Sequence, residues 1–206
     1  MKRKINITIN AKDNGNNFPK LPIPEAGTIQ AVCCGVWDLG LQKTTFNGED
    51  KIQHKIIIAW EIAQLIDAPD SEYHGKPYML NKRYTLSLGE QANLRKDLES
   101  WRGKPFTAEQ IQNGFDVENL YGVNCLIGIK HEPDKRDASI VYANPTALLP
   151  LAKGMEKLTP VRAKDEPAPK WVIALQDAQV RPIDSDFGDD PFEPAAPDIG
   201  DGENMP

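Results

Sequence analysis

The chain has 206 residues, with 24 Lys or Arg against 30 Asp or Glu and a formal charge of −6. Its most apolar run, residues 56–62, is far too short to span a bilayer, and the polar stretch INITINAKDNGNN after Lys2, Arg3 and Lys4 lacks the apolar segment of a signal peptide. Eight of the carboxylates fall in residues 184–206, which hold no Lys or Arg; residues 1–183 carry 22 acids against 24 bases, so a slightly basic body bears an acidic tail. That asymmetry points to a polyanion-binding body and suits a solubilising tail equally well.

Residues 1–27, rich in Asn, Lys and Pro, read as an N-terminal arm. TIQAVCCGVWDLGLQ is strand-like, with Gly35 where a bulge is expected; the bulge leaves open which parity faces inward. Asn47-Gly48 marks a hairpin turn. In the second strand, KIQHKIIIAWEIAQ, alternation puts Ile52, His54, Ile56, Ile58, Trp60 and Ile62 on a core face, and Gln53, Lys55, Ile57, Ala59 and Glu61 on the other. A third strand, KPYMLNKRYTLSL, follows a loop. Ser87 and Glu90 have capping-box spacing, which predicts a helix starting there, with Leu94, Leu98 and Trp101 on one face and Gly103 and Pro105 ending it. A shorter helical piece is expected over 108–113. Two strands, YGVNCLIGIKHEP and DASIVYANPTALLP, then precede a Pro-rich stretch in which WVIAL at 171–175 is expected to dock on the body. Beyond Arg181 disorder is expected.

The order strand, strand, strand, helix, strand, strand fits a mainly β, five-stranded OB-fold barrel with its helix between the third and fourth strands. It also fits an open α+β sheet. The expected division is an arm at 1–27, a binding domain at 28–150, a docked extension at 151–183 and an acidic tail at 184–206.

IPEAGTIQAVCCGVWDLGLQ, KIIIAWEI, NKRYTLSLGEQANLRKDLESWRGKPFT and LYGVNCLIGI together resemble phage-encoded single-stranded-DNA-binding proteins, over about residues 24–145. The resemblance implies an OB-fold replication and recombination accessory in the cytoplasm of a bacterial host, coating exposed single strands. Separately, DFGDDPF resembles the acidic, Phe-ending tip through which bacterial single-strand-binding proteins recruit partners. Asp189, Asp190 and Pro191 would accompany the anchors Phe187 and Phe192, although 14 residues follow Phe192, so the terminal carboxylate is not beside it.

Sequence-tolerant binding needs cations along a phosphate track and flat side chains for unstacked bases. The third strand offers Lys82, Arg83 and Tyr84, and the second offers Lys55; a core role for Tyr84 is an equal reading. Arg83 and Tyr84 lie on opposite faces by alternation. The loops expected to flank the nucleic acid carry Lys43, Phe46 and Lys51, and Lys130, His131, Lys135 and Arg136. Phe46 is the favoured stacking residue and Trp37 the next, whereas Trp60 and Trp101 read as core, Asp38 and Glu61 as surface acids, and Tyr142 is undecided.

No catalytic motif is present, so no enzyme activity and no cofactor are expected. Cys33, Cys34 and Cys125, with His54, His74 and His131, show no metal-ligand spacing, and no metal is expected. Other readings are strand annealing or recombinase loading, homo-oligomerisation, and an interaction module whose acidic tail is the functional element.

Overall fold

The computed structural model describes residues 21–46 and 48–180; most of the N-terminal arm, Asn47, and the acidic tail with Phe187, Asp189, Asp190, Pro191 and Phe192 lie outside the described residues. The chain forms β1 (Gly27–Phe46), β2 (Glu49–Leu65), β3 (Pro77–Thr85), α1 (Asn93–Arg102), α2 (Ala108–Asn113), a 3-10 turn (Val117–Leu120), β4 (Asn124–Pro133), β5 (Val141–Pro150) and α3 (Lys170–Asp177). The strands make one antiparallel sheet in the order β3-β2-β1-β4-β5.

The expected closed barrel is not formed: β3 and β5 approach one another without a ladder between them, and the sheet stays open. Helix α1 supplies the physical reason. It packs against both strands, and its polar groups satisfy each of them. Asp97 accepts from Lys82 Nζ (2.6 Å) and Tyr84 Oη (2.7 Å) of β3, while the Ser100 hydroxyl donates to the Leu148 carbonyl of β5 (2.5 Å). The helix thus fills the gap and holds both edge strands, whose backbones make no ladder with each other.

Leu94, Leu98 and Trp101 bury the apolar stripe of α1, and Trp101 meets the fully buried Trp60 at 5.8 Å between ring centroids. The helix starts later than the Ser87–Glu90 spacing predicts. Ser87 Oγ accepts from the Gly89 amide in a local turn, and Ala92 provides no side-chain cap. A reciprocal capping box does form, at Thr107 and Gln110 of α2. Gly103 ends α1 at φ +67°, and a Cβ there would lie 2.9 Å from Pro150 Cγ.

The bulge at Gly35 settles the parity of β1. The ladder to β2 slips between Cys33 and Gly35, so Ala31 and Cys33 face the main core before it and Val36 faces it afterwards. Trp37 and Leu39 thereby turn to the opposite side, where Leu39, Ile57 and Val172 form a second, smaller core. Burial in apolar surroundings pushes the Cys33 and Cys125 thiols up to about 12, and raises Cys34 as well.

Ile56, Ile58, Trp60 and Ile62 of β2 are buried as alternation predicts, but Ile52 is 57% exposed on the outer part of the β1–β2 hairpin. Ile57, Ala59 and Glu61, on the other face, are buried too. Part of their cover is the extension, residues 151–180, which crosses this outer face as a strap. Glu61 accepts the backbone amides of Val161 (2.6 Å) and Arg162 (3.0 Å). Asn124 exchanges bonds with Leu158, Gln42 Nε2 donates to the Leu175 carbonyl, and Val180 N donates to the Leu41 carbonyl. The apolar segment 171–175 is docked, as part of α3, with Val172 fully buried.

Candidate nucleic-acid interface

With the strap over the outer row of β2, the outer row of β3 is left as a floor. Register pairs Lys55 with Thr85, Ile57 with Arg83, Ala59 with Asn81 and Glu61 with Met79. These four residues of β3, with Pro77 at the end, point away from the core face that holds Tyr78, Leu80 and Tyr84. Arg83 and Asn81 are exposed, while Met79 and Pro77 are half-buried.

A groove of about 730 Å³ opens at one end of this floor, lined by Gln53, Lys55, Arg83, Thr85 and the loop that leads into α1. Lys55 Nζ donates to Gln53 Oε1 and Thr85 Oγ1, both 2.7 Å away and both neutral. Burial, and then the charge of nearby Arg83, lower the Lys55 pKa from its ordinary value. Neither cation has a carboxylate hydrogen-bonded to it among the described residues. Glu90, on the α1 side, is the acid lining the groove. Two nearby cations, one of them held by neutral groups, form a seat for an anion.

The other expected site residues are dispersed. Tyr84 lines the groove but is 2% exposed, with its hydroxyl on Asp97; burial and that carboxylate raise its pKa. It is a core ring with no face for a base. Lys82, on the same inner face, is committed to Asp97. Trp37, the second stacking candidate, is half-buried between Arg162, 5.4 Å from its ring, and Trp171, at 6.3 Å edge-on. Glycine two residues before it leaves room for the ring: a Cβ on Gly35 would stand 2.3 Å from the Trp37 ring.

In the β1–β2 hairpin Lys43 pairs with Asp50 (2.6 Å) and Lys51 with Glu49 (3.5 Å), and the bonds from Lys43 and Thr45 lower the Asp50 pKa. Phe46 closes the hairpin opposite Glu49, and its side chain lies outside the described part of the structure. Lys130 pairs with Glu132, whose pKa it lowers, and His131 Nε2 sits 2.8 Å from the Pro24 carbonyl. Lys135 and Arg136 are exposed in the β4–β5 turn. That turn follows the Gly27 end of β1, whereas Phe46 is at its other end, so the two basic loops sit at opposite ends of the strand.

Of the expected residues, then, Lys55 and Arg83 are brought together and Tyr84 lies beneath them. Gln53 and Thr85 were missed. Alternation already puts Gln53 beside Lys55, but the pairing of Thr85 with Lys55 needs the register. Asp38 and Glu61 are engaged within the protein: Asp38 Oδ1 lies 2.6 Å from His54 Nε2 and accepts the Gly40 amide, and Glu61 holds the strap. No group of His, Cys, Asp or Glu with metal-holding geometry occurs among the described residues, and no described helix is long and apolar enough to cross a membrane.

The chain matches no protein-family model and no curated protein sequence.

Proposed function

We propose that the chain binds single-stranded DNA with little base preference, using the outer row of β3 as its track. The observation that carries this reading is the Lys55–Arg83 pair, two nearby cations lining one open groove, neither of them bonded to a carboxylate among the described residues. Phosphates are the ligand that such a pair suits, and an open groove at the end of an exposed strand row suits a backbone that can run on along the strand. The sheet order, with a helix inserted between β3 and β4 and seated in the β3–β5 gap, supports reading the fold as a partly open OB-fold. In that fold the surface of strands 2 and 3 faces the nucleic acid, which is where the groove lies.

On this reading the protein coats exposed single strands during phage replication or recombination, in the cytoplasm of a bacterial host. The acidic segment would recruit a partner through Phe187 and Phe192, their aspartates meeting a basic rim. The test is fluorescence anisotropy of a labelled oligo(dT) across a salt series. Log affinity should fall linearly with log salt, by about 0.7 per neutralised phosphate. Lys55→Ala with Arg83→Ala should weaken binding and flatten that slope; a double variant that keeps the parent's affinity and slope removes the groove from the account.

A further inference from the structure

The groove supplies charge but no free ring, because the aromatic side chain that lines it, Tyr84, is spent in the core. A stacking platform has to lie elsewhere on the track. Following the outer row of β3 from Arg83 through Asn81 to Met79 covers about 13 Å at the rise of a strand. There a second cavity, of about 290 Å³, is lined by Tyr73, Lys76, Pro77 and Met79 on one side and by Val161 and Arg162 of the strap on the other. Glu61 and Glu166 also line it. Glu61 is bonded to the Val161 and Arg162 amides, and Glu166 to the Arg162 side chain.

Tyr73 is 45% exposed, and the Lys76 ammonium lies 5.2 Å from its ring centroid. The loop that carries it is tied down by its own backbone. Ile66 N donates to the Lys76 carbonyl, Gly75 N to the Ile66 carbonyl and Lys76 N to the Tyr73 carbonyl, at 2.8–3.0 Å. Tyr73 N bonds Ser71 Oγ, and Ala68 N bonds His74 Nδ1. A ring presented on a loop already fixed in this way loses little entropy when a ligand stacks on it.

We propose that Tyr73 is a base-stacking residue for single-stranded DNA and Lys76 the phosphate contact beside it, so that the track runs from the Lys55–Arg83 groove to the β2–β3 loop. The inference rests on the DNA-binding reading above. A base seated on Tyr73 would lie between the loop and the strap, with Met79 beneath it, while its phosphate faces Lys76. The Arg83 end then holds a neighbouring phosphate of the same strand.

The experiment compares parent, Tyr73→Ala, Tyr73→Phe and Lys76→Ala with oligo(dT) of about 20 nucleotides, longer than the usual site of one OB-fold. Tyr73→Ala should weaken binding roughly 5- to 150-fold with the salt slope unchanged. Tyr73→Phe should bind like the parent, because the hydroxyl takes no part in stacking. Lys76→Ala should reduce the slope by about 0.7. In parallel, photo-crosslinking of the parent protein to an iodouracil-substituted strand should label Tyr73, a readout independent of any variant's folding. If the parent fails to bind single strands at all, the DNA-binding reading falls and this inference with it. If the parent binds, Tyr73→Ala binds within twofold of it and the crosslink maps elsewhere, this inference alone is overturned.

Discussion

Replacing Glu61 by Ala removes the acceptor that holds the strap to β2. The side chain is 7% exposed and its two oxygens receive the amides of Val161 and Arg162 at 2.6 and 3.0 Å. Hydrogen bonds to a charged group contribute about 1.5–3 kcal/mol each, and because these two are only part-buried, water takes up the amides once the carboxylate is gone. Relief of the carboxylate's own desolvation offsets part of this, so the net loss is about 3 kcal/mol. Against a total stability of roughly 5–15 kcal/mol that is a large fraction. With a urea m-value of about 2 kcal/mol/M, the midpoint should fall by about 1.5 M. Glu61→Gln keeps one acceptor oxygen and should lose about half as much. Limited trypsin digestion reads the strap directly, since Lys157, Arg162, Lys164 and Lys170 all lie in it, and Glu61→Ala should be cut there well before the sheet. A variant that loses less than about 0.5 kcal/mol and resists trypsin as the parent does would refute the claim that this carboxylate anchors the strap.

Three further outcomes follow from the packing. Tyr84→Phe removes a bond to Asp97 and should lower stability by about 1.5–3 kcal/mol while leaving affinity for single strands unchanged, as comparison of urea melts with anisotropy will show. Gly35→Ala forces the Trp37 ring from its place and should cost about 1–3 kcal/mol, visible as a lower urea midpoint and an altered tryptophan emission. The raised thiols keep their protons in the folded chain up to about pH 12, while unfolded thiols lose theirs from about pH 9. The folded state therefore holds more protons between those values, stability falls as pH rises through that window, and Cys125→Ala should make the fall shallower in urea melts at pH 8, 9 and 10.

The parts of the fold that could be read from the sequence are those set by local periodicity. Leu94, Leu98 and Trp101 recur at helical spacing, and Ile56, Ile58 and Trp60 at strand spacing; all six are buried. Gly35 and Gly103 marked a bulge and a helix end for the same local reason. What escaped was set by chain far away. Ile57, Ala59 and Glu61 look like an ordinary solvent face until residues 151–180 are laid over them. Trp37 looks like a free aromatic until Arg162 and Trp171 bracket it. The capping-box spacing at Ser87 and Glu90 failed because a serine hydroxyl can bond an amide two residues on as readily as one at a helix start.

The same division runs through the site. Alternation separated Arg83 from Tyr84 correctly, but only the β2–β3 register shows that Arg83 shares its face with Lys55. Tyr73 carries no periodic signal at all, being placed by the hydrogen bonds of a loop.

The measurement that bears most directly on the account is a competition titration of the whole chain, with a labelled single strand displaced by unlabelled single-stranded or duplex DNA of the same sequence at near-physiological salt. A track one strand wide, with cations at one end and a ring at the other, predicts that the single strand displaces the label at much lower concentration than the duplex, and that base composition matters little. Equal or stronger displacement by the duplex, or no binding of the labelled strand, would contradict it.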